Sequence, residues 1–138
     1  MPSDIAKRRE VINFARKFDL LAEQWTPRVV AELNDYQFKV VRLEGDFVWH
    51  DHPETDEAFI VVDGELRIDF RDRSVVLGPG EMFVVPKGTE HKPSSPGGAI
   101  LMFEPSGTST TGDRHDGEIP DHVDSTTGHE LRSHAGDA

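Results

Sequence analysis

His50 and His52 stand two positions apart in the run Gly45-Asp46-Phe47-Val48-Trp49-His50-Asp51-His52-Pro53-Glu54-Thr55-Asp56-Glu57. On a strand, residues two apart point to one side, so the two imidazoles share a face. Val48 shares it as well, which makes that face inward. After a short polar turn, Glu57 opens the next apolar run, with Phe59 and Val61 on its own face. A hairpin at that turn would carry the Glu57 carboxylate back across from the two histidines. A second segment, Gly80-Glu81-Met82-Phe83-Val84-Val85-Pro86-Lys87-Gly88-Thr89-Glu90-His91, reads as a strand, a Pro/Gly turn and a return at His91, a third imidazole. Three neutral imidazoles and one carboxylate suit one divalent transition metal (Mn, Fe, Co, Ni, Cu or Zn) and leave coordination positions for water or substrate. The chain has no cysteine, so nitrogen and oxygen must supply the ligands.

These side chains need a frame. The 138 residues fit one compact domain, and the composition separates three regions: 1–25, 26–105 and 106–138. The first mixes charges with Ile5, Val11, Ile12, Phe14, Phe18, Leu20, Leu21 and Trp25, and Ser3 or Asp4 is placed to cap a short helix. It reads as an arm, with a helical turn and a strand, packed on the barrel or on a partner subunit. The second reads as short strands. Leu66, Ile68 and Phe70 alternate with Glu65, Arg67 and Asp69, and Asp63-Gly64 carries a hairpin signal. Short strands at this spacing predict an all-β sandwich or barrel. Residues 58–62 and 82–85 are apolar on both faces, so their outer face needs a second sheet or subunit, and a homodimer is expected. The third region is polar, with seven acidic and two basic residues, and reads as a tail that is flexible or laid over the barrel.

Several alternatives lose ground. The net charge of −11, with no Lys/Arg stripe, argues against a nucleic-acid partner. No apolar run is long enough to span a membrane and no signal segment follows the basic start, so a cytoplasmic protein is expected. The tail histidines His115, His122, His129 and His134 lack the i, i+4 pairing of a helical metal site and read as incidental surface groups. Trp49 falls on the strand face opposite the ligands and is assigned to packing. Asp51, Glu54 and Asp56 read as a wet turn beside the site. No catalytic acid or base can be named. Tyr36, Lys39, Arg42 and Arg67 reach toward a pocket mouth, yet charged strand residues ordinarily face water. Phe38, Phe59, Met82, Phe83, Met102 and Phe103 are candidates for an apolar wall.

The two segments resemble the paired motifs of the cupin superfamily. The first family motif runs Gly, five residues, His-x-His, three or four residues, Glu, six residues, Gly; His50, His52, Glu57 and Gly64 meet it, with Gly45 one residue closer than usual. The second runs Gly, five residues, Pro-x-Gly, two residues, His, three residues, Asn; Gly80, Pro86, Gly88 and His91 meet it, and Ser95 stands where the family has Asn. The resemblance covers roughly residues 28–104 and extends to small single-domain bacterial cupins labelled mannose-6-phosphate isomerase-like. It implies a double-stranded β-helix, the cupin jelly-roll barrel, with the metal inside on His50, His52, Glu57 and His91. It also implies a small-molecule partner and one of three functions. These are Lewis-acid isomerase- or lyase-type chemistry on a sugar- or keto-acid-like molecule, Fe(II)-dependent dioxygenation, or non-catalytic binding of a small molecule or metal.

Overall fold

The computed structural model describes residues 10–109, 114–115 and 129–131. They form one helix, α1 (Phe14–Asp19), and strands β1 (Arg28–Leu33), β2 (Tyr36–Asp46), β3 (His50–Asp51), β4 (Glu57–Asp69), β5 (Ser74–Leu77), β6 (Met82–Val85), β7 (Lys92–Pro105), β8 (Arg114–His115) and β9 (His129–Glu130). The frame is three long strands, with β7 hydrogen-bonded antiparallel to β2 on one side and β4 on the other. The sheet runs β5-β4-β7-β2-β1-β9, antiparallel except for the β1/β9 pair, and β6 pairs with the first part of β4. The fold is the all-β jelly-roll barrel. Among the described residues, no helix is long and apolar enough to cross a membrane.

Alternation fills the barrel. Val41 and Leu43 of β2, Phe59 and Val61 of β4, and Ile100 and Met102 of β7 meet in one inner cluster. At about 25 cal/mol per Å² of apolar surface removed from water, side chains of this size each contribute roughly 1.5–3 kcal/mol. Further along β4 the inward residues are Leu66 and Ile68, so the parity of the strand has changed. The cause is the break in register against β7 between Val61 and Asp63, where β4 carries one extra residue; at the second break, between Glu65 and Arg67, the extra residue is on β7. Extra residues at such bulges move the following side chains to the other face. The hairpin expected at Asp63-Gly64 is therefore absent: β4 continues through it. Gly64 has φ +75°, and a Cβ there would collide with Gly97 O, so the position requires glycine because two backbones cross.

The arm differs in detail from its sequence pattern. Helix α1 is capped by Asn13, whose Oδ1 accepts from Arg16 N at 3.1 Å. Ser3 and Asp4 lie outside the described residues. The strand expected in the arm is reduced, among residues 10–25, to a single bridge between Gln24 and Arg42. Phe18 is buried on the outer face of the sheet with Val30, Val40, Ala99 and Leu101, and Ile12, Phe14 and Leu21 pack around it. The chain's own arm thus covers part of the outer apolar face, Ile60 included, where the sequence pattern calls for a second sheet or subunit. Val62, Val76, Met82 and Val84 remain exposed, Met82 at 60%. From the third region, β8 pairs with β3 and β9 runs parallel to β1. His122 and His134 lie outside the described residues.

Candidate metal centre

The ligand segments are fixed by backbone first. His50 and His91 exchange two hydrogen bonds, each N–H donating to the other's carbonyl at 3.0 Å. Gly88 N donates to His52 O at 2.9 Å, and Lys87 N donates to Asp56 Oδ1 at 2.8 Å, so the Pro86-Lys87-Gly88 turn is clipped to both ends of the 52–56 loop. Glu57 starts β4 opposite Val85 of β6. No hairpin between β3 and β4 carries Glu57 to the histidines. Among the described residues β3 pairs with β8 and bridges to His91, and Glu57 arrives from the neighbouring sheet strand.

The four predicted residues come together. One ligand atom from each of His50, His52, Glu57 and His91 lies within 4.8 Å of the others, and all four residues are buried. Nδ1 of His50 is 2.9 Å from Val48 O, and Nδ1 of His91 is 2.9 Å from Thr89 O. A carbonyl oxygen only accepts, so Nδ1 carries the proton in both rings and Nε2 keeps its lone pair for the cluster. His52 Nε2 is 3.3 Å and His91 Nε2 3.5 Å from the Glu57 oxygens. Both approaches are close, but His52 Nε2, His91 Nε2 and Glu57 Oε1 have no aligned hydrogen-bond partner although buried. An unsatisfied buried polar atom costs about 1–3 kcal/mol. A cation at the centre would satisfy all three at once, so these residues fit a metal ion.

Electrostatics prepare the same donors. Burial, with His91 beside it, lowers the His50 pKa to about 4, which keeps that ring neutral. Burial would raise Glu57, but the Glu104 carboxyl and the His91 and His52 imidazoles beside it hold it below the usual carboxylate range. Glu104 moves the opposite way: burial and then the Glu57 charge push it well up, despite Lys39. Glu104 therefore holds the proton between the two carboxyls and Glu57 is the anion, which is the form that binds a cation.

Lys39 departs from expectation. It does not face water at a pocket mouth; it is 0% exposed inside the barrel, with Nζ 2.8 Å from Glu104 Oε1. Neither Glu104 nor this role for Lys39 was drawn from the sequence. The signal was there: Lys39 alternates with Val41 and Leu43, and Glu104 with Met102 and Ile100, on inward faces. The other three pocket-mouth candidates are elsewhere. Tyr36 packs on Phe103 at the surface, Arg42 donates to Phe18 O, and Arg67 pairs with Asp69. Of the apolar-wall candidates, Phe59 and Met102 are inside with Phe83 packed against them, whereas Phe38 stacks on Phe103 and Met82 is exposed. Trp49 lies under the Arg71 guanidinium, 3.8 Å from its ring centre. Ser95 takes up the turn contact: its Oγ donates to Glu65 O at 2.5 Å and accepts from Gly97 N at 3.0 Å.

Two cavities adjoin the cluster. A cavity of about 30 Å³, room for a water or two, reaches His50 and Glu57 between Trp25, Phe47, Phe59 and Met102. A larger one of about 170 Å³ borders His52 and is lined by Pro53, Glu54, Thr55, Ser106, Gly107, Thr108 and Ser109.

Comparison with known proteins agrees with this architecture. The family profile described as Cupin domain matches residues 39–104. The crystal structure of a cupin-2 domain containing protein from Shewanella frigidimarina NCIMB 400 is 56% identical, with a TM-score of 0.68, over 69% of this chain and 94% of that one. Protein NMB1881 from Neisseria meningitidis is 35% identical, with a TM-score of 0.65, over 70% of this chain and all (100%) of that one. The uncharacterized protein YdbB of Bacillus subtilis (strain 168) is 42% identical over 67 residues, which span 48% of this chain and 59% of YdbB. The chain belongs to the cupin family.

Proposed function

We propose that the protein is a metal-dependent cupin that acts on a small oxygenated molecule, sugar- or keto-acid-like, by Lewis-acid chemistry of the isomerase or lyase type. The observation that carries the reading is the set of three buried donor atoms without hydrogen-bond partners, on His52, Glu57 and His91, beside a fourth donor on His50. A divalent ion held by these four residues would polarise a carbonyl or hydroxyl oxygen of the substrate. The chain's own part is to keep the His50 imidazole neutral and Glu57 ionised, and to offer a polar cavity beside His52. The hydroxyl side chains of Thr55, Ser106, Thr108 and Ser109 at that cavity suit a hydroxylated ligand, and Glu54 at its wall is the titratable group placed to exchange a proton with it. We further propose a homodimer through the exposed apolar strip of Met82 and Val84 on β6 and Val62 on β4.

Elemental analysis of freshly purified protein, followed by oxygen-uptake assays with candidate sugars and keto acids, tests the proposal. One equivalent of Mn, Zn, Ni or Co with substrate turnover and no oxygen uptake is the expected result. Iron with substrate-dependent oxygen uptake would replace it by the dioxygenase reading. Bound metal and ligand without turnover would replace it by a binding module. No metal on purification and none on reconstitution would remove the premise of all three.

A further inference from the structure

Beneath the four candidate ligands, the barrel holds a lysine that no surface role explains. Lys39 Nζ lies 2.8 Å from Glu104 Oε1 and donates to Thr108 O at 3.3 Å, and Glu104, next to the Phe103–Ala58 pair, sits across from Glu57 in the antiparallel register. The side chains of Lys39 and Glu104 are 0% and 1% exposed. Taking two such groups out of water costs several kcal/mol each, and apolar side chains of similar size often fill such a place with no loss of stability. Stability therefore gives no reason for the pair. Its placement does. Lys39 on β2, Glu104 on β7 and Glu57 on β4 occupy inward positions of three adjacent strands, where Lys39 is opposite Met102 and Ala58 opposite Phe103. Glu57 Oε1 has no hydrogen-bond partner and is 3.5 Å from His91 Nε2, so the carboxylate that Glu104 engages still has an oxygen for the cluster.

We infer that Lys39 and Glu104 are positioning residues: Lys39 anchors Glu104, and Glu104 holds the Glu57 carboxylate in its ligating orientation. The inference rests on the reading that the cluster binds a metal. Outer hydrogen bonds of this kind fix the orientation of ligating groups, and their loss typically costs tenfold to a hundredfold in metal affinity. Lys39 also ties this chain of contacts to the 106–109 loop, whose Thr108 lines the cavity beside His52.

Co(II) titrated into chelator-stripped, full-length protein tests this, followed by calorimetry and by the visible absorption of the bound ion. Glu104→Gln keeps the geometry, because its amide donates to Glu57 while its carbonyl accepts from Lys39; affinity within about threefold of wild type and an unchanged spectrum are expected. The double variant Lys39→Met/Glu104→Leu removes both buried charges together and should bind Co(II) about ten- to hundredfold more weakly, with shifted absorption bands. Wild-type affinity and spectrum in that variant would overturn the inference, as would an equal loss in Glu104→Gln. Should the double variant not fold, Glu104→Asp decides. Withdrawing the carboxyl by one methylene should weaken Co(II) at least about fivefold, and undiminished binding would overturn the inference. A wild-type protein that takes up no Co(II) would instead overturn the metal reading beneath it.

Discussion

At the level of single residues, the site is a set of opposed proton affinities. His50 has a folded pKa of about 4 against an ordinary value of 6.5. Between those values the unfolded chain holds a proton there that the folded chain lacks, so this group's contribution to stability rises with pH across the window and is complete above it. Glu104 works against it. Its folded pKa lies well above the ordinary 4.5, so its contribution is complete below about 4.5 and declines as pH rises. His52, His91, Glu57 and Lys39 face the same space, so the sum is best read as a difference between two proteins. In metal-free Glu104→Gln, the His50 contribution is no longer opposed. Its stability should rise from pH 4.5 to 6.5 more steeply than that of metal-free wild type, by up to about 1.4 kcal/mol per pH unit, in urea melts at several pH values. Parallel profiles would mean that Glu104 does not hold its proton in the folded state. The four ligand residues were legible in the sequence because imidazoles two apart and a carboxylate at the head of an apolar run are unusual on inward faces. Lys39 and Glu104 were not, because a charged residue on a strand is ordinarily solvated, and here that habit prevailed over the period-two pattern that placed them inside.

Among the elements, β4 shows how one dipeptide can serve two structures. Asp-Gly between apolar runs is a strong hairpin signal, yet here it marks the bulge at which a long strand bends and exchanges one partner, β6, for another, β5. Local sequence does not separate the two outcomes, since both need a residue that tolerates positive φ; the close passage of Gly97 and Gly98 separates them, and that is a tertiary fact. The consequence can be measured. Gly64→Ala meets both an unfavourable φ and backbone atoms that cannot move aside, and it should cost about 3 kcal/mol or more in denaturant midpoints. Gly80→Ala, at φ +83° with nothing within 4 Å of the new Cβ, should cost only about 1–2 kcal/mol. The arm behaves similarly. Its apolar residues fit no clean period because a six-residue helix and irregular flanks share the burial of Phe18, and Phe18→Ala should lower stability by about 3–4 kcal/mol.

For the whole molecule, folding and metal occupancy are linked by mass action. An ion that binds the folded chain alone stabilises it by about 2.7 kcal/mol when free metal is a hundred times Kd. Chelation should therefore lower the melting temperature, and restored metal should raise it in proportion to the logarithm of its concentration. The proposed dimer has its own test: Val84→Lys places a charge in the exposed β6 strip and should shift the sedimentation coefficient to that of the monomer while leaving Co(II) binding intact. A wild-type monomer would remove that proposal and leave the metal site untouched. The barrel itself was readable from the alternation over residues 65–70, at the end of β4, and from the turn residues between strands. What alternation could not supply was which outer surface the arm would cover, because that depends on where α1 docks.

The paired amide bonds between His50 and His91 carry a further consequence. They lie on the main chain at two of the candidate ligands, between stretches of chain far apart in sequence, so a metal bridging the two side chains would cross-link the same contact that the backbone makes. The amide protons at these two positions should then act as a reporter on the ion. In deuterated solvent they would exchange at the rate of local opening in stripped protein. Once the cross-link forms, they would slow toward the rate of global unfolding, giving occupancy residue by residue without any colour, magnetism or turnover from the metal.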